Sequence, residues 1–204
     1  MPLLKHNNQS ISNVTSFPLI PAGEPVLLST ATASSSASIS FNSTYINGDY
    51  QIYKFEFINC HPQNGTGEDF LFQTSTNNGS SYGVTCTSTY FTAYHHEGDA
   101  YSGLTYDSGN DLAQSTSFQR LADNTKNDND GSVSGYLKLF NPSSTTYVKH
   151  FIGRTISMAE NPLNYDAYMA GYFNTTSAIN AIQFKFSSGN IDAGQIKLYG
   201  LGAN

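Results

Sequence analysis

The chain has 204 residues, of which only 12% are charged, and its formal net charge is −6. Its nine lysines and arginines are scattered, which argues against nucleic-acid binding because a phosphate-binding surface needs clustered cations. No apolar run approaches the ~20 residues that span a bilayer, so we expect no membrane insertion. The chain contains 26 serines, 19 threonines and 20 asparagines, a composition typical of extracellular or virion β-proteins.

The first 25 residues differ from the rest because they hold four of the seven prolines. Proline fixes φ and removes a backbone donor, so residues 18–21 should be extended and unpaired. We expect residues 1–25 to form an extended N-terminal anchoring arm that packs on a neighbour. The alternative is a disordered terminus, which would gain nothing from apolar side chains. The apolar residues assigned to the arm are Leu3, Leu4, Ile11, Val14, Phe17, Leu19 and Ile20.

From residue 26 onward, apolar residues recur with the period of two that is typical of β-strands. The clearest case is residues 50–58, where Tyr53, Phe55 and Phe57 alternate with mostly polar residues. This alternation predicts a sheet with one buried face and one solvated face. Strands are predicted at residues 26–32, 37–41, 50–58, 69–76, 83–93, 118–121, 133–140, 146–152, 165–172, 179–186 and 195–201.

Turn-forming residues separate these segments. The stretch Asn77-Asn-Gly-Ser80 predicts a hairpin, and residues 127–131 predict a second hairpin turn. Residues 94–117 have no clear period and are predicted to form a long excursion. No window has a helical stripe, so we predict an all-β fold, an antiparallel jelly-roll-like β-sandwich over residues 26–204 with about nine to eleven strands.

The two cysteines, Cys60 and Cys86, each lie in a strand-like stretch. We expect two buried thiols that behave as small hydrophobic side chains, with a disulfide as the alternative. Two cysteines are too few for a zinc site.

The densest polar cluster is Tyr94-His-His-Glu-Gly-Asp99. His95 and His96 would point to opposite faces if they lay on a strand, so they could share a metal only on a loop. We expect a solvated or interface loop here, with a metal site or a catalytic role as the alternative.

Tyrosines crowd the same region. A tyrosine has an apolar ring and a polar tip, which suits interfaces and sugar stacking, although such rings can also complete a core. The sequence therefore nominates one candidate contact site for a glycan or a protein partner. Its residues are Tyr94, His95, His96, Glu97, Asp99, Tyr101 and Tyr106.

Catalytic and cofactor motifs are not found. Aligning Gly131 with the invariant glycine of a calcium loop puts Lys126 at a ligand position and Leu137 where a bidentate glutamate is required. No serine lies in Gly-x-Ser-x-Gly, and no pattern pairs carboxylates for glycoside hydrolysis. We expect no enzyme activity, no cofactor and no metal.

Several stretches resemble a group of small virion structural proteins of marine tailed bacteriophages. The first half contributes residues 7–16, 34–41 and 53–58, and the second half contributes residues 139–150, 179–194 and 196–200. The resemblance covers most of the chain except residues 59–135. Its motifs are distinctive as a set, and it carries over no catalytic residues.

The resemblance implies a jelly-roll domain held on a particle by its N-terminal arm, as a tail fibre, head fibre or capsid decoration protein. Such a protein would be assembled in the host bacterial cytoplasm and located in the virion. Its partners would be its own copies, most simply as a homotrimer, and other capsid or tail proteins. The alternative is a carbohydrate-binding module that recognises a host surface glycan, and a third hypothesis is a depolymerase.

Overall fold

The computed structural model describes residues 24–65, 67–159 and 161–203. The predicted arm therefore lies outside the described residues, except for Glu24 and Pro25. All regular elements of the described residues are β-strands. No helix that could cross a membrane occurs among them.

Twelve strands follow one another along the described chain. The first six are β1 (Val26–Thr32), β2 (Ile39–Phe41), β3 (Tyr50–Pro62), β4 (Glu68–Ser75), β5 (Cys86–His96) and β6 (Ser102–Tyr106). The other six are β7 (Gln119–Thr125), β8 (Val133–Phe140), β9 (Lys149–Met158), β10 (Leu163–Phe173), β11 (Ala181–Phe186) and β12 (Ile191–Ala203).

The strands form two packed antiparallel sheets. The large sheet has the order β1-β12-β3-β8-β9-β10-β5-β6, and the small sheet has the order β2-β11-β4-β7. Strand β1 pairs with β12, β2 with β11, β3 with β8, and β4 with β7. These four nested pairs, divided between two sheets, are the topology of a jelly roll. The predicted all-β jelly-roll sandwich is thus confirmed.

Two inserted hairpins enlarge the large sheet. Strands β5 and β6 pair with each other between β4 and β7, and β9 and β10 pair with each other between β8 and β11. Strand β9 also pairs with β8, and β10 pairs with β5, so both hairpins continue the same sheet. We call these four strands the insertion half.

Aromatic side chains fill the space between the sheets. Phe184 of β11 is fully buried, and its ring centroid lies 5.2 Å from those of both Phe55 and Phe57 on the opposite sheet. Tyr53, Phe55 and Phe57 of β3 are all buried, as their alternation predicts. Burial of such large rings is the main favourable contribution to folding in this architecture.

Of the two predictions for the cysteines, buried thiols and a disulfide, the structure agrees with the first. Cys60 and Cys86 are free and fully buried. Burial raises the pKa of each thiol to about 12, so neither thiolate forms readily near neutral pH.

Two predicted hairpins are instead crossings between the sheets. Asn78 and Gly79 adopt positive φ, as the turn sequence predicts, but β4 and β5 lie in different sheets. Residues 127–131 likewise join β7 of the small sheet to β8 of the large one. The turn residues specify that the chain reverses direction, but they do not specify the strand with which the next segment pairs.

The predicted long excursion is also wrong over its first part. Strand β5 continues to His96, and β6 follows it as a regular hairpin partner. Periodicity fails there because both faces of this hairpin carry polar and apolar side chains together.

Candidate functional site

Three of the nominated residues meet on the inner face of the β5–β6 hairpin. The ring centroid of Tyr101 lies 5.0 Å from that of His96 and 6.4 Å from that of Tyr94. Tyr165 of β10 joins them, 6.3 Å from Tyr94, at the position directly opposite it in the sheet. We call Tyr94, His96, Tyr101 and Tyr165 the tyrosine cluster.

A glycine makes room for this cluster. Gly103 pairs with Tyr94 across the hairpin, and the Tyr94 ring lies over it. A Cβ atom at this position would come within 2.7 Å of the Tyr94 hydroxyl. The small residue therefore allows the tyrosine ring to lie flat across β6.

The other nominated residues lie elsewhere. His95 is on the outer face, where its Nε2 lies 3.1 Å from Asp99 Oδ1, and both side chains are exposed. Glu97 is exposed in the turn. Tyr106 is also on the outer face, next to Phe91, and its hydroxyl donates a hydrogen bond to Asp111. The structure thus separates the seven residues into two faces and a turn.

An acidic cluster lies close to the tyrosine cluster, at the edge of the small sheet. Arg120 contacts Asp69 at 2.7 Å and Asp123 at 3.5 Å, and Asn110 donates hydrogen bonds to Asp107 and Asp123. Burial and a hydrogen bond with Asp69 raise the pKa of Asp123 above its usual range. Sequence reasoning missed this cluster because its members come from separate segments.

Electrostatics links the two clusters. Burial is the main cause of the raised pKa of Tyr165, and the negative charge of Asp123 adds to it. Tyr90, fully buried between them, has a raised pKa because of burial and the charges of Asp123 and Asp107. Its hydroxyl has no hydrogen-bond partner among the described residues. The two clusters together place ring faces and carboxylates on one side of the hairpin.

The outer face of the insertion half carries a different feature. Five large apolar side chains are partly exposed there, and we call them the outer strip: Phe91 (38% exposed), Leu104 (70%), Tyr106 (54%), Ile152 (42%) and Ile156 (49%). Phe91, Leu104 and Tyr106 are neighbours across the β5–β6 pairing, whereas Arg154 lies between Ile152 and Ile156, and Asp166 lies beside Ile156. Exposed apolar side chains that are grouped on one face can mark a surface that binds another protein.

A stack of side chains crosses the outer strip. The Arg154 guanidinium lies 4.7 Å from the centre of the Tyr168 ring, and that ring stacks on Phe91 at 4.9 Å with an interplanar angle of 4°. Arg154 also makes two hydrogen bonds with Asp166, at 2.8 and 2.7 Å. Arg154 and Phe91, from the strands on either side of β10, thus cover the two faces of the Tyr168 ring.

A polar cleft of about 570 Å³ opens at the other end of β5. Hydroxyl and amide groups line much of it, including those of Tyr82, Thr116 and Asn174. No charged side chain lines it.

Metal-ligating groups do not converge in the described part of the chain. No set of three or more His, Cys, Asp or Glu side chains there could hold a metal ion. At the calcium-like turn, Lys126 itself contacts Asp130 at 3.0 Å and Asp128 at 3.6 Å. A cation thus already pairs with both carboxylates.

Comparison with known proteins adds no family. No protein-family model matches the chain, and no curated protein matches it.

Proposed function

We propose that this protein is a structural component of a tailed-phage virion, a tail or head fibre or a capsid decoration protein. The observation that supports the proposal is the group of exposed apolar side chains at the β5–β6 edge, Phe91, Leu104 and Tyr106, on a hydroxyl-rich β-domain. Leu104 alone exposes 70% of its surface. A surface of this kind suits a protein that is built into an assembly.

The resemblance to marine phage virion proteins supports the same reading. The resembling stretches include β2 and β11 and parts of β3 and β12, which belong to the jelly-roll framework. In the proposed particle, residues 1–25 dock on a capsid or tail protein or on a second copy, and the sandwich faces outward. Fold alone would not carry this proposal, because one fold serves many functions.

Labelled particles test the proposal. An antibody raised against the protein should decorate tailed phage particles at one defined location in negative-stain images. Peptides of the protein should also co-purify with intact particles through a density gradient. Its absence from intact particles, together with its presence in the lysate, would show that the proposal is wrong.

A second candidate function is binding of a host surface glycan by the tyrosine cluster. Ring faces together with nearby carboxylate groups are groups that sugars contact. Tyr101 is 49% exposed and would offer the accessible ring.

The two faces of the hairpin allow a sharp test of this second function. Tyr101→Ala should abolish binding of the purified protein to host cells, whereas Tyr106→Ala, on the opposite face, should leave it unchanged. Tyr82→Ala in the polar cleft is a second control. Equal loss in all three variants, or no loss in Tyr101→Ala, would contradict a role for the tyrosine cluster.

A further inference from the structure

Strand β6 is an open edge of the large sheet. Among the described residues it has a hydrogen-bonded neighbour, β5, on one side only. None of its five residues is charged, and two of them, Leu104 and Tyr106, are largely exposed. Natural edge strands are normally blunted by lysine, proline or a covering segment, and an uncharged apolar edge is a template for another strand.

The backbone of β6 has a defined free side. The His96 N–H donates to the Tyr101 carbonyl, and the Asp107 N–H donates to the Tyr90 carbonyl. Residues at odd positions of this stretch thus face β5. By the alternation of a strand, the N–H and C=O groups of Ser102, Leu104 and Tyr106 point away from β5.

Pairing of β6 with β6 of a second copy would be electrostatically poor. An antiparallel pair about a two-fold axis at Leu104 would bring the turn of one copy to the loop after β6 of the other. The turn carries Glu97 and Asp99, and the loop carries Asp107 and Asp111. Like charges facing each other at both ends of a short edge oppose this arrangement.

The N-terminal segment of this chain lacks the acidic residues that oppose the pairing of β6 with β6. Residues 1–23 contain no Asp or Glu, and their one lysine is Lys5. Residues 11–17 are uncharged and rich in residues that favour strands: Ile-Ser-Asn-Val-Thr-Ser-Phe. Pro18 ends this stretch because proline has no backbone N–H to donate. The segment therefore brings no acidic residue to the acid-flanked edge, and it has a β-forming composition.

The reach of the chain decides which copy supplies the segment. Glu24 precedes β1, and β1 and β6 are the opposite edges of the eight-stranded sheet. Seven inter-strand spacings of about 4.8 Å separate them by about 34 Å. From Phe17 to Glu24 the chain spans at most about 25 Å when fully extended. Followed along the sheet, the chain is therefore shorter than the separation of the two edges, and we infer that a second copy supplies the segment.

We propose that residues 11–17 of one copy add as a strand to β6 of a neighbouring copy. Main-chain hydrogen bonds to Ser102, Leu104 and Tyr106 provide the affinity, as in other cases of strand addition. The contact is head-to-tail, so successive copies form a ring if the rotation closes. This inference rests on the proposed function, because it names the partner of the anchoring arm.

Cross-linking between two full-length variants tests the contact directly. The native thiols are buried with pKa values near 12, so an introduced surface cysteine is the reactive one. Val14→Cys and Leu104→Cys proteins, mixed and oxidised, should give a disulfide-linked pair containing one chain of each. Tyr147→Cys replaces Leu104→Cys as the control, because Tyr147 is also 70% exposed and lies outside the strands.

The cross-linking result has clear opposite outcomes. A mixed pair that forms with Leu104→Cys and not with Tyr147→Cys supports the inference. Equal yields with both variants, or none with either, overturns it. A cross-link confined within single chains of a Val14→Cys/Leu104→Cys double variant overturns it as well.

A backbone substitution gives an independent readout. Leu104→Pro removes an N–H that points away from β5, so the hairpin keeps its own hydrogen bonds. Self-association measured by analytical ultracentrifugation should weaken about tenfold, because one hydrogen bond is lost and its carbonyl partner is left unpaired. Leu104→Ala keeps the N–H and should weaken association less. Unchanged association of a folded Leu104→Pro protein overturns the inference.

The failure of this inference is distinguishable from that of the proposed function. If labelled particles contain the protein but no Val14–Leu104 cross-link forms, strand donation is wrong and the virion role stands. If intact particles lack the protein, the virion role is wrong whatever the cross-linking shows.

Discussion

At the scale of single residues, Phe184 is the centre of the aromatic core. Its ring contacts those of Phe41, Phe55, Phe57, Phe70 and Phe72, which come from both sheets. No smaller side chain could keep these contacts, and the rigid strands on either side limit how far the cavity could close.

Phe184→Ala should therefore lower the free energy of unfolding by about 3–5 kcal/mol, a large fraction of the total for a domain. Equilibrium unfolding in urea measures the change. Tyr147→Ala, at a residue 70% exposed, is the control and should change it by less than about 0.5 kcal/mol. A small effect of Phe184→Ala would mean that the two sheets repack without it.

The acidic cluster gives a second prediction at this scale. Burial and the hydrogen bond with Asp69 raise the pKa of Asp123. A carboxyl whose pKa is raised by folding stabilises the protein at low pH, and that stability is lost as pH rises from the ordinary value of 3.8 through the raised pKa. Arg120 opposes the shift because its charge favours the ionised form.

Arg120→Met should raise the pKa of Asp123 further and make the loss of stability towards neutral pH steeper. The midpoint of thermal unfolding, measured from about pH 4 to neutral pH, should fall more in the variant than in the unaltered protein. Lys126→Met removes a cation whose partners Asp128 and Asp130 are exposed, and it should change this slope little. Parallel pH profiles for Arg120→Met and the unaltered protein would contradict the prediction.

At the scale of strands, β9 and β10 are joined across the outer face by Arg154 and Asp166. Their two hydrogen bonds form a bidentate pair, and Tyr168 stacks against the guanidinium. The hydrogen bond from Arg154 is the main reason that the pKa of Asp166 lies below its usual value of 3.8. A carboxyl whose pKa is lowered by folding stabilises the protein at pH values above its ordinary pKa. This stabilisation is lost as the pH falls through the lowered pKa.

Arg154→Met should return the pKa of Asp166 towards or above 3.8, because burial then acts without the compensating cation. An NMR titration of the Asp166 carboxyl carbon measures this. Arg154→Lys keeps the charge without the bidentate geometry and should give an intermediate value. An unshifted Asp166 in the Met variant would show that the pair contributes little to the electrostatics of these strands.

The positions of the strands were easier to predict from the sequence than the strands with which each of them pairs. The bounds predicted for β1 and β8, and the buried face of β3, match the structure because alternation directly reports which face is covered. The turn at Asn78 and Gly79 was recognised, but its strands were assigned to one sheet because turn residues carry no information about the sheet that follows. This is why the order of strands came from the structure alone.

The candidate site shows the same limit. Tyr94, Tyr101 and Tyr106 are close in sequence, but the pairing of Tyr94 with Gly103 and of Phe91 with Tyr106 puts them on two faces. A shift of one residue in register would have exchanged those faces. Tyr165 and Asp123 were missed because only pairing between distant strands brings them to the hairpin.

At the scale of the whole molecule, the insertion half shares one continuous sheet with β1, β3, β8 and β12, which we call the jelly-roll half. Strands β8 and β9 pair along most of their length, and Thr155 of β9 donates a hydrogen bond to the Leu121 carbonyl of β7 on the small sheet. Each half also contains one buried free thiol. Cys60 lies on β3, and Cys86 lies on β5.

The two thiols therefore report whether the molecule unfolds as one unit. Each has a pKa near 12 and is fully buried, so labelling by a thiol reagent requires opening of the surrounding structure. If the shared sheet makes the halves cooperative, Cys60 and Cys86 should become labelled over the same range of urea concentration, as measured by peptide mass spectrometry. Labelling of Cys86 at a distinctly lower concentration would instead show that the insertion half opens first, and the outer strip would then belong to the less stable part of the domain.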